Sequence, residues 1–132
     1  MPMSRISLLK GRSPAYLRAL GDSLQRAMEE AFNVPPRDRF QLIHQHEQHE
    51  MMIDPGYEGG PRSDNFVLIA ITIGKPRSTE VKQAFYQRLV ALLAESPGIP
   101  SEDVMVVVTA AQGEDWSFGG GRPAASLLGI RS

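Results

Sequence analysis

The sequence of 132 residues is too short for two ordinary domains but long enough to bury one core. Apolar residues make up 42% and charged residues 22%, which excludes a disordered chain, and the net charge of -1 excludes a general attraction to nucleic acid or anionic membranes. The absence of cysteine excludes disulfides, thiolate metal sites and cysteine nucleophiles.

Strand and helix patterns alternate along the chain, and proline or glycine follows each helical pattern. In chain order the predictions are a strand over 3–9, a helix from Ser13 to before Pro35-Pro36, a strand over 40–45, a strand over 66–73, a helix from Ser78 to before Pro97-Gly98, and a strand over 104–109. The longest apolar run, 66–73, is far shorter than the roughly 20 residues of a membrane helix, and no signal-peptide pattern precedes it. We therefore expect a cytoplasmic protein without a membrane or nucleic acid partner.

An internal repeat relates the two halves of this pattern. Equivalent residues lie 65 positions apart: Ser13 and Ser78, Leu24 and Leu89, Asp38 and Asp103. Two β-α-β units predict an α/β fold, also classed as α+β, with a four-stranded sheet and both helices on one face. We expect a single domain over 1–132, with repeat units at about 1–64 and 65–110 and a C-terminal hairpin or arm over 111–132.

This layout leaves one face of the sheet without cover, since so short a chain has no third layer. Packing of sheets around a symmetry axis would bury that face, so we expect a homo-oligomer.

The pair Met1-Pro2 is the first candidate for chemistry, because removal of Met1 before a small residue leaves a secondary amine on Pro2. Such an amine can act as a base, an acid or a nucleophile toward a carbonyl. Pro2 begins the first strand, whereas Lys75 and Arg77 follow the third. If these two strands were adjacent and parallel, the two positions would lie at opposite edges of the sheet, and a shared site would need a folded-back loop or a neighbouring subunit.

Several separated motifs resemble the tautomerase superfamily, specifically its malonate semialdehyde decarboxylase branch. They are the early proline Pro2, the segment VPPRDRFQ over 34–41, KPRS over 75–78 and DWSFG over 115–119. The resemblance covers nearly the whole chain and implies a homotrimer of duplicated β-α-β subunits, with an active site around the amino-terminal proline and no cofactor.

The resemblance also implies roles for individual residues. Pro2 would be the catalytic amine, Asp38 its acidic partner and Arg77 the group that binds the substrate carboxylate. The substrate-binding residues would further include Lys75 and an apolar wall of Trp116, Phe118, Leu127 and Leu128. Lys75 stands where the family has a second arginine, and Phe40 stands where it has a tyrosine. Both differences bear on which substrate the protein accepts more than on where the site lies.

The implied reaction is decarboxylation of a small 3-oxo acid. One alternative is a tautomerase or hydratase at the same proline, acting on a 2-oxo or unsaturated acid. Another, of a different class, is a non-catalytic oligomeric binding protein. The site residues also have structural interpretations. We expect Asp103 to brace a turn, and its repeat partner Asp38 would then do the same, while Arg77, the repeat partner of Arg12, would be a helix-entry residue.

Two further motifs are interpreted as structural. His44, His46 and His49 with neighbouring glutamates have spacing suited to metal ligands, but the tract is strongly polar and is predicted to be an exposed edge, so we expect no metal site. The run Gly119-Gly120-Gly121 lacks the strand-to-helix context of a nucleotide-binding loop and is predicted to be a turn.

Overall fold

The structure is a computed structural model that describes residues 2–124. Its strands and helices are β1 Met3–Leu9, α1 Pro14–Ala31, β2 Gln41–His46, β3 Val67–Ile73, α2 Thr79–Glu95 and β4 Val104–Ala110. The predicted β-α-β order of both units is confirmed. Within the described residues after β4, the chain forms one short 3₁₀ turn over Gly113–Asp115 and no further strand.

The four strands form one mixed sheet in the order β2-β1-β3-β4. β1 is parallel to β2 and β3 is parallel to β4, but the two central strands, β1 and β3, are antiparallel. The assumption that the first and third strands run parallel is therefore wrong. Each crossover fixes direction only within its own unit, and the two units here lie side by side in opposite directions. As a result, the amino end of β1 lies beside the carboxyl end of β3.

Serine side chains cap both helices, as predicted. Ser13 Oγ accepts from the amide of Tyr16 at 3.1 Å, and Ser78 Oγ accepts from the amide of Val81 at 3.2 Å. α1 stops earlier than the proline pair suggested, because Asn33 adopts a left-handed conformation with φ of 56° directly after the capping residue.

Both helices pack on the same face of the sheet, as predicted. Side chains alternate along β1 and β3, so that every second residue points into the core. The helices contribute a complementary apolar stripe. The fully buried side chains include Ile6, Leu20, Leu24, Met28, Ile69, Ile71, Phe85, Leu89 and Leu93.

The opposite sheet face is only partly shielded within residues 2–124. Leu42 on β2 and Val107 on β4 are 42% and 45% exposed, and Arg5 is exposed near the centre of the same face. No helix of the described part of the chain is long and apolar enough to span a membrane.

Candidate active site

Pro2 and Asp38 both line two neighbouring cavities of about 550 and 390 Å³. Pro2 is buried and directly precedes β1, while Asp38 is half-buried and precedes β2. These strands are parallel, and the amide of Ser4 donates to the carbonyl oxygen of Phe40 at 2.9 Å. The parallel pairing thus places the residues before each strand at one edge of the sheet.

The larger cavity has a cationic wall formed by Lys75 and Arg77. Both follow β3, whose antiparallel pairing with β1 brings them to Pro2 within the same chain. Neither a neighbouring subunit nor a loop folded back across the sheet is needed to assemble these residues.

Backbone contacts fix Arg77. Its Nη2 donates to the carbonyl oxygen of Phe32 at 2.9 Å and its Nη1 to that of Lys75 at 2.5 Å, while the guanidinium lies 5.2 Å from the centre of the Phe32 ring. Partial burial lowers the pKa of Arg77, which still stays protonated near neutral pH. A guanidinium has five N–H donors, so three remain for a ligand. Lys75 is exposed and carries a flexible ammonium.

The smaller cavity has an aromatic wall. The rings of Trp116 and Phe118 are stacked with centres 5.2 Å apart, and Phe40 completes the lining. Trp116 and Phe118 therefore lie where the resemblance implied an apolar wall. Leu127 and Leu128, predicted to extend it, lie outside the described residues.

Sequence reasoning missed several residues that line the two cavities. Phe32 and Asn33, directly after α1, line the larger one, and Arg37 and Arg39 line the smaller one. One signal in the sequence was available. Asn33 is a residue type that often ends a helix, and the chain that leaves α1 must pass the end of the sheet where Pro2 lies before it enters β2.

The repeat partners of Asp38 and Arg77 have structural roles at the other end of the sheet. The buried carboxylate of Asp103 accepts from the amide and the hydroxyl of Ser63 at 2.6 and 2.7 Å. Arg12 Nη2 donates to the carbonyl oxygen of Asp64 and to Asn65 Oδ1, both at 2.8 Å. Loop contacts thus occupy both partner groups, Asp103 and Arg12, whereas Asp38 and Arg77 line a cavity that also contains Pro2.

The other two motifs offer no comparable site. Among residues 2–124, no group of three or more histidine, aspartate or glutamate side chains is placed to hold a metal ion. The glycine run forms a turn in which the amide of Arg122 donates to the carbonyl oxygen of Gly119 at 3.3 Å.

Comparison with known sequences gives the family. The family described as tautomerase enzyme matches residues 38–119, more than half of the chain, and a second tautomerase enzyme family matches residues 2–57. The chain belongs to the tautomerase family. Two proteins of Bacillus subtilis (strain 168), named probable tautomerase YusQ and probable tautomerase YrdN, are similar to this chain. They are each 38% identical, and the matches cover 92% and 90% of this chain and 96% and 92% of theirs.

Solved structures resemble this chain over nearly its full length. Malonate semialdehyde decarboxylase is 38% identical with a TM-score of 0.87, covering 96% of this chain and 97% of the other. FG41 malonate semialdehyde decarboxylase inhibited by 3-bromopropiolate is 31% identical with a TM-score of 0.86, covering 96% and 95%. Native fused 4-OT, at 20% identity and a TM-score of 0.77 over 96% and 98%, shares the fold.

Proposed function

We propose that this tautomerase-family protein is a cofactor-independent decarboxylase of a small 3-oxo acid, of the malonate semialdehyde type, with the Pro2 nitrogen as its catalytic amine. The observation that carries the proposal is the shared cavity, in which Pro2 and Asp38 face Lys75 and Arg77. Similarity to two malonate semialdehyde decarboxylases supports it, and one of these proteins has decarboxylase and hydratase activities.

The proposal requires removal of Met1, which converts the Pro2 nitrogen from an amide into a secondary amine. Asp38 favours the protonated form of that amine, because a nearby opposite charge stabilises a cation. The protonated amine then donates a hydrogen bond to the 3-oxo group of the substrate, and Arg77 and Lys75 bind the substrate carboxylate.

Decarboxylation breaks the bond between the carboxyl carbon and the adjacent methylene carbon. The electron pair of that bond moves toward the carbonyl oxygen, which takes the proton of the Pro2 amine, so that carbon dioxide and an enol form. The enol becomes the aldehyde when its carbon takes a proton from solvent and its hydroxyl proton returns to the Pro2 nitrogen, which restores the protonated amine. The aromatic wall of Trp116 and Phe118 lowers the local polarity, which favours loss of the carboxylate charge.

A second candidate function is tautomerisation of a 2-oxo acid or hydration of an unsaturated acid at the same site. The names of the two Bacillus relatives favour it, since both are probable tautomerases. In that reaction a neutral Pro2 amine takes a proton from carbon, or Asp38 activates a water molecule.

We also propose that the protein assembles as a homotrimer. The exposed apolar residues Leu42 and Val107 lie on the sheet face that the helices leave open, and identical copies around a threefold axis would bury them. Light scattering coupled to size-exclusion chromatography tests this, and a monomer would contradict it.

The test of function is the rate of carbon dioxide release from malonate semialdehyde as a function of pH, with phenylpyruvate ketonisation measured in parallel. An acid mechanism predicts decarboxylation that falls as pH rises through the pKa of the amine, and loss of activity in Pro2→Ala. Activity that rises with pH on the 2-oxo acid alone would favour the tautomerase. Absence of both activities would favour the alternative that the protein is a non-catalytic oligomeric binding protein.

A further inference from the structure

Helix α1 contains two residues that helix formation and core packing do not explain. Gly21 lies in the interior of the helix, where glycine is less favourable than alanine. Gln25, one turn later on the same face, is buried with 4% exposure, although amide side chains usually remain at the surface. Both residues face the segment that leads into β2.

Gly21 permits a close approach of β2 to the helix. The Gln41 side chain donates from Nε2 to the carbonyl oxygen of Gly21 at 3.0 Å. A Cβ atom at position 21 would lie 2.6 Å from Gln41 Oε1 and 3.0 Å from Arg39 Nη2, so the end of the Gln41 side chain would have to move and that of Arg39 would have to give slightly. Any other residue at this position would displace those side chains.

Three further contacts involve the same segment. The Arg39 guanidinium lies 2.9 Å from Asp22 Oδ1 and donates to Gln41 Oε1 at 3.3 Å. Gln25 Nε2 donates to the main-chain oxygen of Asp38 at 3.4 Å. Residues 38–41 are thus attached to α1 at Asp38, at Arg39 and at Gln41.

The internal repeat provides a comparison within the same molecule. At the equivalent positions, 65 residues later, the second unit has Tyr86, Val90, Val104 and Val106 in place of Gly21, Gln25, Arg39 and Gln41. The second unit therefore lacks the three side chains that donate these hydrogen bonds, and its Asp103 is held by Ser63 instead. The donor side chains are specific to the unit that contains Pro2.

We propose that Gly21 and Gln25 are positioning residues that fix the Asp38 carboxylate relative to the Pro2 amine. The inference rests on the proposed function, in which Asp38 is the acidic partner of the Pro2 amine. The main chain of Asp38 is held from the helix, and Phe40, two residues later, is bonded to β1 through Ser4, so the segment has fixed points on both sides.

The test is a titration of the Pro2 amine by NMR, in protein labelled with ¹⁵N-proline, without substrate and with Met1 removal verified by mass. The other charged residues that line the two cavities, namely Lys75, Arg77, Arg37 and Arg39, are not substituted in any variant, and only Gly21→Ala displaces one of them, Arg39. The variants are Gln25→Met and Gly21→Ala, with Asp38→Asn as reference. Gln83→Met makes the same chemical change on the exposed face of α2 and is the control.

The expected result is a titration midpoint lower by roughly 0.3 pH units or more in Gln25→Met, in the direction of Asp38→Asn, because a less constrained carboxylate stabilises the ammonium less. Gly21→Ala should lower the midpoint similarly, and each variant should lose about tenfold in kcat/KM through misplacement of the carboxylate. Gln83→Met should match the unmodified protein.

A shift in Asp38→Asn but none in Gln25→Met would overturn the positioning role and leave the proposed function intact. If Gly21→Ala raises the melting temperature without moving the midpoint, glycine at this position has no role in the site. Absence of a shift in Asp38→Asn would instead contradict the proposed pairing of Asp38 with Pro2, and the positioning inference with it. If Gly21→Ala does not fold, the titration midpoint of Gln25→Met alone decides the test.

Discussion

Met3 is paired with Thr72 across the two antiparallel central strands of the sheet. This pairing brings the start of β1, with Pro2, to the end of β3, where the chain continues through Lys75 to Arg77. One chain thereby places an amine precursor and two cations in the same cavity. The chemistry proposed for the protein depends on this relationship.

Substitution of Arg77 by alanine should impair both substrate binding and stability. Arg77 bonds to the carbonyl oxygen of Phe32 and also lines the cavity. We expect KM for the carboxylate substrate to rise roughly 10- to 100-fold and the free energy of unfolding to fall by about 1–2 kcal/mol. Steady-state kinetics and urea denaturation measure the two effects.

Arg12→Ala is the matched control for that experiment. Arg12 is the repeat partner of Arg77, and it bonds only to loop oxygens in the contacts described above. Its loss should lower stability by a similar amount and leave KM unchanged. An equal rise of KM in both variants would show that Arg77 acts through stability alone.

Lys75→Arg should strengthen substrate binding. A guanidinium can hold both oxygens of a carboxylate, whereas an ammonium acts as a point charge. We expect a fall in KM for a 3-oxo acid by roughly 3- to 10-fold, with little change in thermal stability because Lys75 is exposed. Lys75→Gln, which removes the charge, should raise KM. Unchanged KM in both variants would exclude Lys75 from substrate binding.

The bond between Asp103 and Ser63 should contribute substantially to stability. Asp103→Ala removes a buried carboxylate that accepts two hydrogen bonds, so the amide of Ser63 loses its partner. We expect a loss of about 2–4 kcal/mol on urea denaturation. Ser63→Ala should cost less, and the double variant should cost less than the sum of the two single variants. Additive losses would show that the two residues act independently.

Glu30 should make a small, pH-dependent contribution to stability. Its carboxylate bonds to Arg88 and Arg26, and these bonds lower its pKa below the ordinary value of 4.5. A group with a lowered folded pKa stabilises the protein above the unfolded pKa and loses that effect as pH falls through the folded pKa. The melting-temperature difference between Glu30→Gln and the unmodified protein should be constant near neutrality. It should vanish at pH values below the folded pKa of Glu30. A difference that persists in acid would exclude an ionic origin.

The sequence predicted the architecture because its signals are local and repeated. Ser13 and Ser78 occupy the same position in their helices, and the offset of 65 residues relates the two units without a gap. How the two units join is not a local property. Nothing in either unit specifies whether β1 and β3 run parallel or antiparallel, so the assembly of the site within one chain was not predicted.

Several of the residues that line the candidate site were predicted from the sequence, whereas the residues of α1 that hold Asp38 were not. The motifs around Asp38, Arg77 and Trp116 carry the resemblance to a known family, and the fold brings all three to the cavities that contain Pro2. Gly21 and Gln25 were not identified, because their purpose lies in contacts with a strand that is distant in sequence. A glycine and a glutamine inside an amphipathic helix were the only local signals.

The most direct test of the account is the intact mass of the purified protein before and after treatment with 3-bromopropiolate, followed by peptide mapping. We expect the mass to lack Met1, and one adduct per chain to map to the Pro2 nitrogen. Pro2→Ala should give no adduct at this position under the same conditions. Retention of Met1, or an adduct that maps elsewhere in the unmodified protein, would contradict the assignment of Pro2 as the catalytic amine.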